Sequence, residues 1–281
     1  MQSVRQIRPF LRRFARNKGA LFGAFIVLIF LIVGALPGLI APYDPYASNL
    51  QNRLSAPSRD HWLGCDEFGR DVLSRIIYGA RLSILIGGLG VFLAILIGVP
   101  LGILSGYFGG LAENLIMRLI DIMLAFPGIL LAIAIVSVLG FGLTNVIIAI
   151  GIFSIPTYAR LTRGAVLAVK NLDYITSARA LGSGHLRIIF RDVLPNSLSP
   201  LIVQTTLRIA TALLTASSLS FLGLGAQPPL PEWGAMLSNA RVYIRMAPHL
   251  IMFPGLAIML VVLAFNLMGD GLRDTLDPMM K

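Results

Sequence analysis

The sequence predicts an all-α polytopic membrane protein with six transmembrane helices. Of its 281 residues, 56% are hydrophobic and only 13% are charged, whereas a soluble domain carries about 25% charged residues. Six stretches also approach the roughly 20 apolar residues that a helix needs to cross a bilayer. Composition therefore excludes a disordered chain, a nucleic-acid-binding tail and an ordinary soluble enzyme. We assign the net charge of +10 to basic loops beside the membrane.

The predicted spans are separated by loops of very different length. In chain order they cover residues 20–41, 82–107, 115–139, 144–160, 197–224 and 249–269. The first is longer than the apolar region of a signal peptide and no A-x-A cleavage site follows it, so we interpret it as a retained anchor. The fourth is short and contains Pro156. The long connections 42–81 and 160–196 are candidates to carry function.

Basic residues predict the orientation of the chain. With the N-terminus in the cytoplasm, fifteen of the 23 Lys and Arg residues are cytoplasmic and seven are outside, while Arg208 lies within a span. The positive-inside rule favours this orientation. It makes segments 1–19, 160–196 and 270–281 cytoplasmic and segments 42–81 and 225–247 extracytoplasmic.

The chain lacks the groups that common membrane enzymes require. It has no G-x-x-x-x-G-K-[ST] phosphate loop and no H-E-x-x-H metal motif. The carboxylate of Asp121 lies inside a predicted span without a second carboxylate there, so acid–base catalysis is not supported. Cys65 is the single cysteine, which excludes an intrachain disulfide and a Cys-rich metal site. We predict no enzyme activity, cofactor or metal for this chain.

The segment 173–196 predicts two short helices that meet at a glycine. Asp173 is a candidate N-cap for a helix over 174–181, and Gly182 ends that helix in a conformation with positive φ. The second helix has apolar residues at the spacing of one buried face. These residues are Leu186, Ile189, Phe190, Val193 and Leu194. The segment is either an amphipathic element on the bundle or the lipid surface, or a docking element for a cytosolic partner.

The fifth predicted span carries polar residues at helical spacing. Gln204, Arg208, Thr211, Thr215 and Ser218 share one face of the helix. A charge at membrane depth costs about 2.5–3.5 kcal/mol on insertion scales, so Arg208 should face protein or water. This face is either a wall of a translocation path or a subunit interface. We predict Asp121 as the counter-ion of Arg208, which requires the third and fifth spans to be neighbours.

Glycines and prolines recur inside the spans. Gly98, Gly102, Gly106 and Gly110 form overlapping G-x-x-x-G steps, which predict the close approach of another helix. Prolines interrupt the second, third, fourth and sixth spans, either as static kinks or as hinges. These prolines are Pro100, Pro127, Pro156 and Pro254.

The segment 173–196 resembles the EAA loop, E-A-A-x3-G-x9-I-x-L-P, of permease subunits of ABC importers. Gly182, Leu194 and Pro195 fall at the spacing of that motif, and Ala178 stands at its second alanine. The sequence departs from the motif at Thr176, Ser177 and Asp192. This resemblance implies a coupling helix pair that docks on an ATPase. The implied docking residues are Asp173, Ala178, Arg179, Ala180, Leu181, Gly182, Arg187, Leu194 and Pro195.

Further stretches resemble the C-type permease subunit of dipeptide, oligopeptide, glutathione and nickel importers. They are HWLGCDEFGRDVLSRIIYGARLS (61–83), RLIDIMLAFPGILLAI (118–133), SLSFLGLGAQPPLPEWGAML (218–237) and FNLMGDGLRDTLDP (265–278). The resemblance covers most of the chain, with Cys65 where this family often has Thr. It implies a type I importer permease fold, with a transmembrane core over 82–269, in the bacterial cytoplasmic membrane.

The same resemblance implies partners. They are a second, homologous permease subunit, two cytosolic ATPase subunits that bind ATP and Mg, and an extracytoplasmic solute-binding protein. The implied substrate is a small peptide or glutathione, moved by alternating access, with nickel or another small solute as the alternative. A secondary transporter or channel would instead usually show an internal repeat and no docking segment.

Overall fold

The structure is a computed structural model that describes residues 13–276. In that range the chain forms helices and loops without a β-strand, as the all-α prediction requires. The principal helices are α1 (Lys18–Ala35), α2 (Val72–Phe108), α3 (Gly110–Leu124), α4 (Gly128–Leu139), α5 (Leu143–Val169), α6 (Asp173–Ala180), α7 (His185–Ile188), α8 (Leu198–Phe221), α9 (Trp233–Ala240) and α10 (His249–Leu276). Shorter helical turns cover Pro37–Ile40, Leu50–Asn52, Ile189–Val193, Leu194–Asn196 and Arg241–Tyr243. The predicted terminal segments 1–19 and 270–281 lie partly outside the described residues.

Within residues 13–276, five helices are long and apolar enough to cross a membrane: α1, α2, α5, α8 and α10. A sixth span exists only as the pair α3 and α4, whose axes meet at 92°. The predicted third span over 115–139 is therefore present only as a broken pair, and the break lies at Pro127, where the sequence predicts an interruption. Pro127 accounts for the break, because proline cannot donate a helical hydrogen bond and its ring clashes with the preceding turn. α3 ends at Leu124 and α4 begins at Gly128.

Several helices extend beyond their predicted apolar spans. α2 begins at Val72, so residues 72–81 are helical rather than part of the loop. The Asp71 side chain caps it by accepting a hydrogen bond from the backbone N–H of Ser74 at 2.8 Å. α5 continues to Val169, well past the predicted end at 160. Hydropathy marks only the apolar part of a helix, whereas capping and packing decide where the helix stops.

Small residues allow the longest helices to pack closely. A Cβ atom added to Gly102 of α2 would lie 2.5 Å from the Cβ of Thr162 in α5 and 2.6 Å from the carbonyl oxygen of Ala159. Gly98 and Gly106 make equivalent contacts with α5, which confirms the predicted packing role of this glycine series. Gly110 does not share it, since no described atom lies within 4 Å of its Cβ position.

The first span is part of the bundle. α1 packs along α10, and a Cβ atom on Gly23 would lie 2.6 Å from the carbonyl oxygen of Ala264. Near the same end, a Cβ atom on Gly271 would lie 2.1 Å from the Cβ of Ala20. α8 in turn packs against α2, α5 and α10. The fifth span is therefore held in place by three neighbouring helices.

Candidate docking segment and translocation face

The segment that joins α5 to α8 forms the predicted pair of short helices. α6 begins at Asp173, so this residue is the first helical residue and Leu172 occupies the capping position without a side-chain hydrogen bond. The prediction that Asp173 is the N-cap is wrong by one residue. Its carboxylate still lies in the first turn, where a negative charge interacts favourably with the helix dipole. Ile175 is fully buried and anchors α6 on the bundle.

Gly182 ends α6 in the left-handed region, as predicted, with φ of +79°. The N–H of Ser183 donates to the carbonyl oxygen of Ala178 at 3.0 Å, and the N–H of Gly182 donates to that of Arg179 at 2.9 Å. The first of these bonds is typical of a Schellman helix end, which favours glycine. No described atom lies within 4 Å of a Cβ placed on Gly182. Within the chain, the backbone conformation at position 182 therefore favours glycine, whereas the space around it would admit a side chain.

The second helix buries a different set of residues from the predicted one. Ile188, Ile189 and Val193 are buried, whereas Leu186 is 72% exposed and Phe190 is 64% exposed. The prediction that the last two belong to a buried face is wrong. The helix instead turns Ile188, Ile189 and Val193 toward Ile103 and Val166, and a π-helical turn over Ile189–Val193 interrupts the regular 3.6-residue pattern in its second half.

An apolar surface results on the outside of this segment. Leu181 is 87% exposed and lies between the two helices, and the exposed Leu186 and Phe190 follow it in the second helix. We call these three residues the exposed apolar surface. Other predicted docking residues are also solvent-accessible: Asp173, Arg179, Ala180, Gly182, Arg187 and Pro195 are exposed, and Ala178 and Leu194 are half-buried. Contiguous exposed apolar side chains often mark an interaction site.

The opposite side of the segment is attached to the ends of α2 and α5. Ile175 and Ile188 pack with Ile103 of α2 and Val166 of α5 in one buried cluster. Lys170 donates from Nζ to the carbonyl oxygen of Gly106 at 2.8 Å. The two short helices are therefore packed on the ends of α2 and α5.

The five polar residues of α8 lie on one side of the helix, as their spacing predicts. Thr211 is exposed, and Gln204, Arg208, Thr215 and Ser218 are half-buried. The hydroxyls of the last three turns donate to carbonyl oxygens of the same helix: Thr211 to Arg208 at 3.0 Å, Thr215 to Thr211 at 2.9 Å and Ser218 to Leu214 at 2.8 Å. Their oxygens remain available as acceptors along this face.

Two grooves border this polar face. One of about 730 Å³ lies between α8, α9 and α10 and includes Ser218, Phe221 and Met259 in its lining. The other, of about 620 Å³, includes Gln204 and Arg273. The face therefore lies beside open space at both of its ends, which suits either a path or a subunit interface.

The predicted ion pair between Asp121 and Arg208 is wrong. Asp121 forms a salt bridge with Arg160 of α5, and Glu113 of the same helix forms one with Arg163. α5 packs against both α3 and α8, so its arginines are the ones that reach the carboxylates of α3. Asp121 therefore does not belong to the polar face of α8 in this structure.

Arg208 has a different environment from the predicted one. Its Nη2 donates to the hydroxyl of Thr157 at 2.8 Å, and its guanidinium carbon lies 4.9 Å from the ring centroid of Phe153. Both residues are in α5. The Nε of Arg208 is buried and has no hydrogen-bond acceptor among the described residues. An aromatic face stabilises a cation, but it does not satisfy the N–H groups of the guanidinium.

Sequence reasoning missed a buried cluster of charges at the end of the bundle where α2 begins. Asp66 accepts from Arg70 Nε at 2.7 Å and lies 3.3 Å from Arg75 Nε. Arg75 also donates to the carbonyl oxygens of Pro45 and Pro229, at 3.1 and 3.3 Å. The charged residues occur close together in the motif over 61–83, but the contact of Arg75 with Pro229 spans 154 positions of chain and leaves no local signal. The cluster fastens the 42–71 segment to α2 and to the loop after α8.

Glu232 is a second buried group at the same end. It is fully buried and accepts hydrogen bonds from the backbone N–H groups of Gly234 and Ala235, at 3.0 and 2.8 Å, at the start of α9. Burial raises the pKa of its carboxyl, while these two hydrogen bonds act in the opposite direction. Its role in the structure is to cap α9.

No group of three or more His, Cys, Asp or Glu side chains in residues 13–276 is arranged to hold a metal ion.

The apolar helices and the attached helical segment define a multi-pass membrane permease. The chain belongs to the family of binding-protein-dependent transport system inner membrane components, whose family model matches residues 98–281. Residues 6–57 match a second model, the N-terminal TM domain of oligopeptide transport permease C. The predicted family is thereby confirmed.

Three relatives show the extent of the similarity. The glutathione transport system permease protein GsiD of Pectobacterium atrosepticum is 50% identical over 275 residues, which cover 98% of this chain and 91% of that protein. The dipeptide transport system permease protein DppC of Alkalihalophilus pseudofirmus is 49% identical, covering 98% and 90%. The di/tripeptide transport system permease protein DppC of Pseudomonas aeruginosa is 51% identical, covering 98% and 93%.

The fold also resembles a solved transporter. A chain of the methionine ABC transporter MetNI, in an inward-facing conformation, matches with a TM-score of 0.58 over 72% of this chain and 96% of that chain. At 19% identity this likeness concerns the fold alone. It agrees with the importer permease fold that the sequence predicts.

Proposed function

We propose that this chain is one transmembrane half of an ABC importer that carries di- or tripeptides, or glutathione, across the cytoplasmic membrane. The observation that carries the proposal is about 50% identity, over nearly the whole chain, to permeases named for dipeptide, di/tripeptide and glutathione transport. The chain catalyses no bond change itself. ATP and Mg belong to two partner ATPase subunits, and a solute-binding protein delivers the substrate from outside.

The ATPases dock on the segment 173–196 at the cytoplasmic side. The exposed apolar surface, Leu181, Leu186 and Phe190, supports this assignment, because a segment that served only to cover the bundle would turn these side chains inward. The exposed Arg179 and Arg187 add charge at the edge of that surface. Termini and docking segment then share the cytoplasmic side, in agreement with the distribution of basic residues.

Transport follows from the attachment of this segment to the long helices. Closure of the ATPases on ATP moves the docking segments of the two permease subunits together. Since α6 and α7 are packed on α2 and α5, those helices move with them and change the side to which the path opens. The polar face of α8 forms one wall of that path, with Gln204, Arg208, Thr211, Thr215 and Ser218 toward the solute. The homologous second permease supplies the opposite wall.

The test is uptake by the complete complex in proteoliposomes. The heterodimeric permease, both ATPases and the solute-binding protein are reconstituted, and ATP-dependent accumulation of a labelled dipeptide, a tripeptide and glutathione is measured. We expect at least one of these to accumulate and to stimulate ATP hydrolysis. Accumulation of nickel alone, or of none of these solutes, would contradict the proposal.

A further inference from the structure

Arg208 lies near the middle of α8 with most of its hydrogen-bonding capacity unused. A guanidinium carries five N–H donors, and among the described residues one acceptor is supplied, the hydroxyl of Thr157 at 2.8 Å. The Nε is buried without an acceptor. Gln204, one helical turn away on the same face, forms no hydrogen bond within residues 13–276. This stretch of the helix therefore presents N–H donors of Arg208 and Gln204 that no residue in 13–276 engages.

The surrounding residues hold the guanidinium in place without neutralising it. Phe153 covers one face of the group at 4.9 Å, and Thr157 fixes one of its corners. The carboxylates of α3 are engaged elsewhere, Asp121 with Arg160 and Glu113 with Arg163. An arginine at this depth is costly unless an anion or water meets it. The described part of the chain supplies no such anion to Arg208.

We propose that Arg208 is a carboxylate-binding residue for the peptide in transit, and that it recognises the C-terminal carboxylate. The proposal rests on the proposed function of the chain as a peptide importer. A planar guanidinium fits a carboxylate through two parallel hydrogen bonds, and the half-exposed position of Arg208 lets a solute on the path reach its outer edge. Gln204 adds an amide donor one turn closer to the N-terminal end of α8.

The chemistry suits a transporter of peptides with different side chains. Every linear peptide with a free C-terminus carries the same carboxylate, so one fixed arginine recognises all of them without reading the sequence. Water at the open side of the site weakens the ion pair, and a solute that binds weakly enough can leave again. Arg208 therefore selects for an anionic end group without trapping the substrate.

The experiment compares a labelled dipeptide with its C-terminal amide in the reconstituted complex. The solute-binding protein also discriminates between the acid and the amide, so each peptide is supplied at a concentration that saturates that protein. The ratio of acid uptake to amide uptake is then measured for each variant and divided by the ratio of the wild type. Loss of a charged hydrogen bond should lower the ratio of Arg208→Gln by about tenfold. Arg208→Lys keeps the positive charge but cannot form two parallel hydrogen bonds to a carboxylate, so its ratio should fall by less than that of Arg208→Gln. The control Arg160→Gln, which removes an arginine paired with Asp121, should keep the wild-type ratio.

The outcomes separate this inference from the function on which it rests. If Arg208→Gln lowers uptake of acid and amide equally, the residue lies on the path but does not bind the carboxylate, and the inference is overturned while the importer stands. If the variant no longer co-purifies with the second permease and Arg208→Lys keeps the wild-type ratio, Arg208 is an interface anchor and the inference is again overturned. If the wild-type complex imports no peptide, both the proposed function and the inference about Arg208 fail.

Discussion

The hydroxyl of Tyr107 lies 3.0 Å from Nδ1 of His185, which joins the last turn of α2 to the first residue of α7. The guanidinium of Arg179, from α6, lies over the ring of the same tyrosine at 5.2 Å. One side chain at the end of the longest helix thus contacts both short helices of the docking segment. We therefore expect a movement of the segment to reach α2 through Tyr107.

Tyr107→Phe should weaken the coupling between ATP hydrolysis and transport. The variant keeps the ring under Arg179 and loses the bond to His185, which is worth about 0.5–1.5 kcal/mol. We expect the ATPases to remain bound and the number of peptides imported per ATP to fall by roughly two- to tenfold. Tyr43→Phe is the matched control, because it removes a hydroxyl bonded at 2.8 Å to the carbonyl oxygen of Asp60 at the other end of the bundle. An unchanged ratio in Tyr107→Phe would show that this bond has no part in coupling.

Gly182→Asp should leave the permease inserted and paired but defective in ATPase binding or coupling. The positive φ of +79° disfavours any side chain by roughly 1–2 kcal/mol, while the open space around the residue lets the rest of the chain fold. The measurement is co-purification of the four-subunit complex together with solute-stimulated ATP turnover. Gly164→Asp serves as the control, since Gly164 is also in open space but lies within α5 without a positive φ. Normal assembly and turnover in Gly182→Asp would contradict the assignment of this segment as the docking site. Arg187→Glu should have a milder effect, because a surface ion pair contributes little to binding.

Phe190→Asp should weaken the binding of the ATPases. If the exposed apolar surface docks on them, loss of a central aromatic contact typically weakens binding by about 2 kcal/mol or more, roughly 30-fold. Titration of detergent-solubilised permease with purified ATPase measures the effect. The control is Met246→Asp, because Met246 is also highly exposed but lies at the other end of the bundle. Equal affinity of both variants for the ATPase would mean that the apolar surface is covered by something else.

Gly102→Ala and Gly88→Ala make a matched pair in α2 with opposite expected effects. The new Cβ at 102 overlaps Thr162 and the backbone of α5, and overpacking of this kind costs about 1–3 kcal/mol. At 88 no described atom lies within 4 Å, so alanine should be neutral or stabilise the helix by about 0.5–1 kcal/mol. Thermal unfolding of the purified permease in detergent compares them. A Gly102→Ala variant as stable as the wild type would show that α2 and α5 are not in close contact.

Orientation is best tested with paired cysteines rather than with Cys65. That residue is fully buried, and burial raises the pKa of its thiol, so a maleimide should not react with it from either side of the folded protein. In a Cys65→Ser background, Ala56→Cys and Ser177→Cys place exposed thiols at opposite ends of the bundle. An impermeant maleimide added to intact cells with a permeable outer envelope should label position 56 only, and inverted vesicles should label position 177 only. The reverse pattern would invert the proposed topology.

Much of the fold was predictable from the sequence because the bilayer imposes a simple rule on composition. Apolar length located the spans, and glycine spacing located the contact of α2 with α5. Helix ends were less accurate, as the extension of α2 back to Val72 shows, because a capping residue such as Asp71 acts outside the apolar stretch. The positive φ of Gly182 was predictable, since few other residues tolerate it.

The errors share a physical cause, which is dependence on contacts remote in sequence. Which side of the second short helix is buried depends on its packing against Ile103 and Val166 of distant helices, and no local pattern announced it. The partner of Asp121 depended on which helix lies between the third and fifth spans. The carbonyl oxygens of Pro45 and Pro229 around Arg75 likewise come from distant loops. Such pairings are decided by packing and not by propensity.

The break at Pro127 has a consequence for what surrounds the permease. The last carbonyl groups of α3 and the first N–H groups of α4 have no partners within their own helices, and hydrocarbon offers them none. Such a break is stable in a membrane only where protein or water reaches it. Phe126 and Leu130 beside the break are exposed in the single chain, so a partner or water can reach the backbone groups there. For a chain that works as one half of a permease pair, as we propose, the elbow between α3 and α4 is a place where we expect the second half or water, rather than lipid, to cover the open backbone groups.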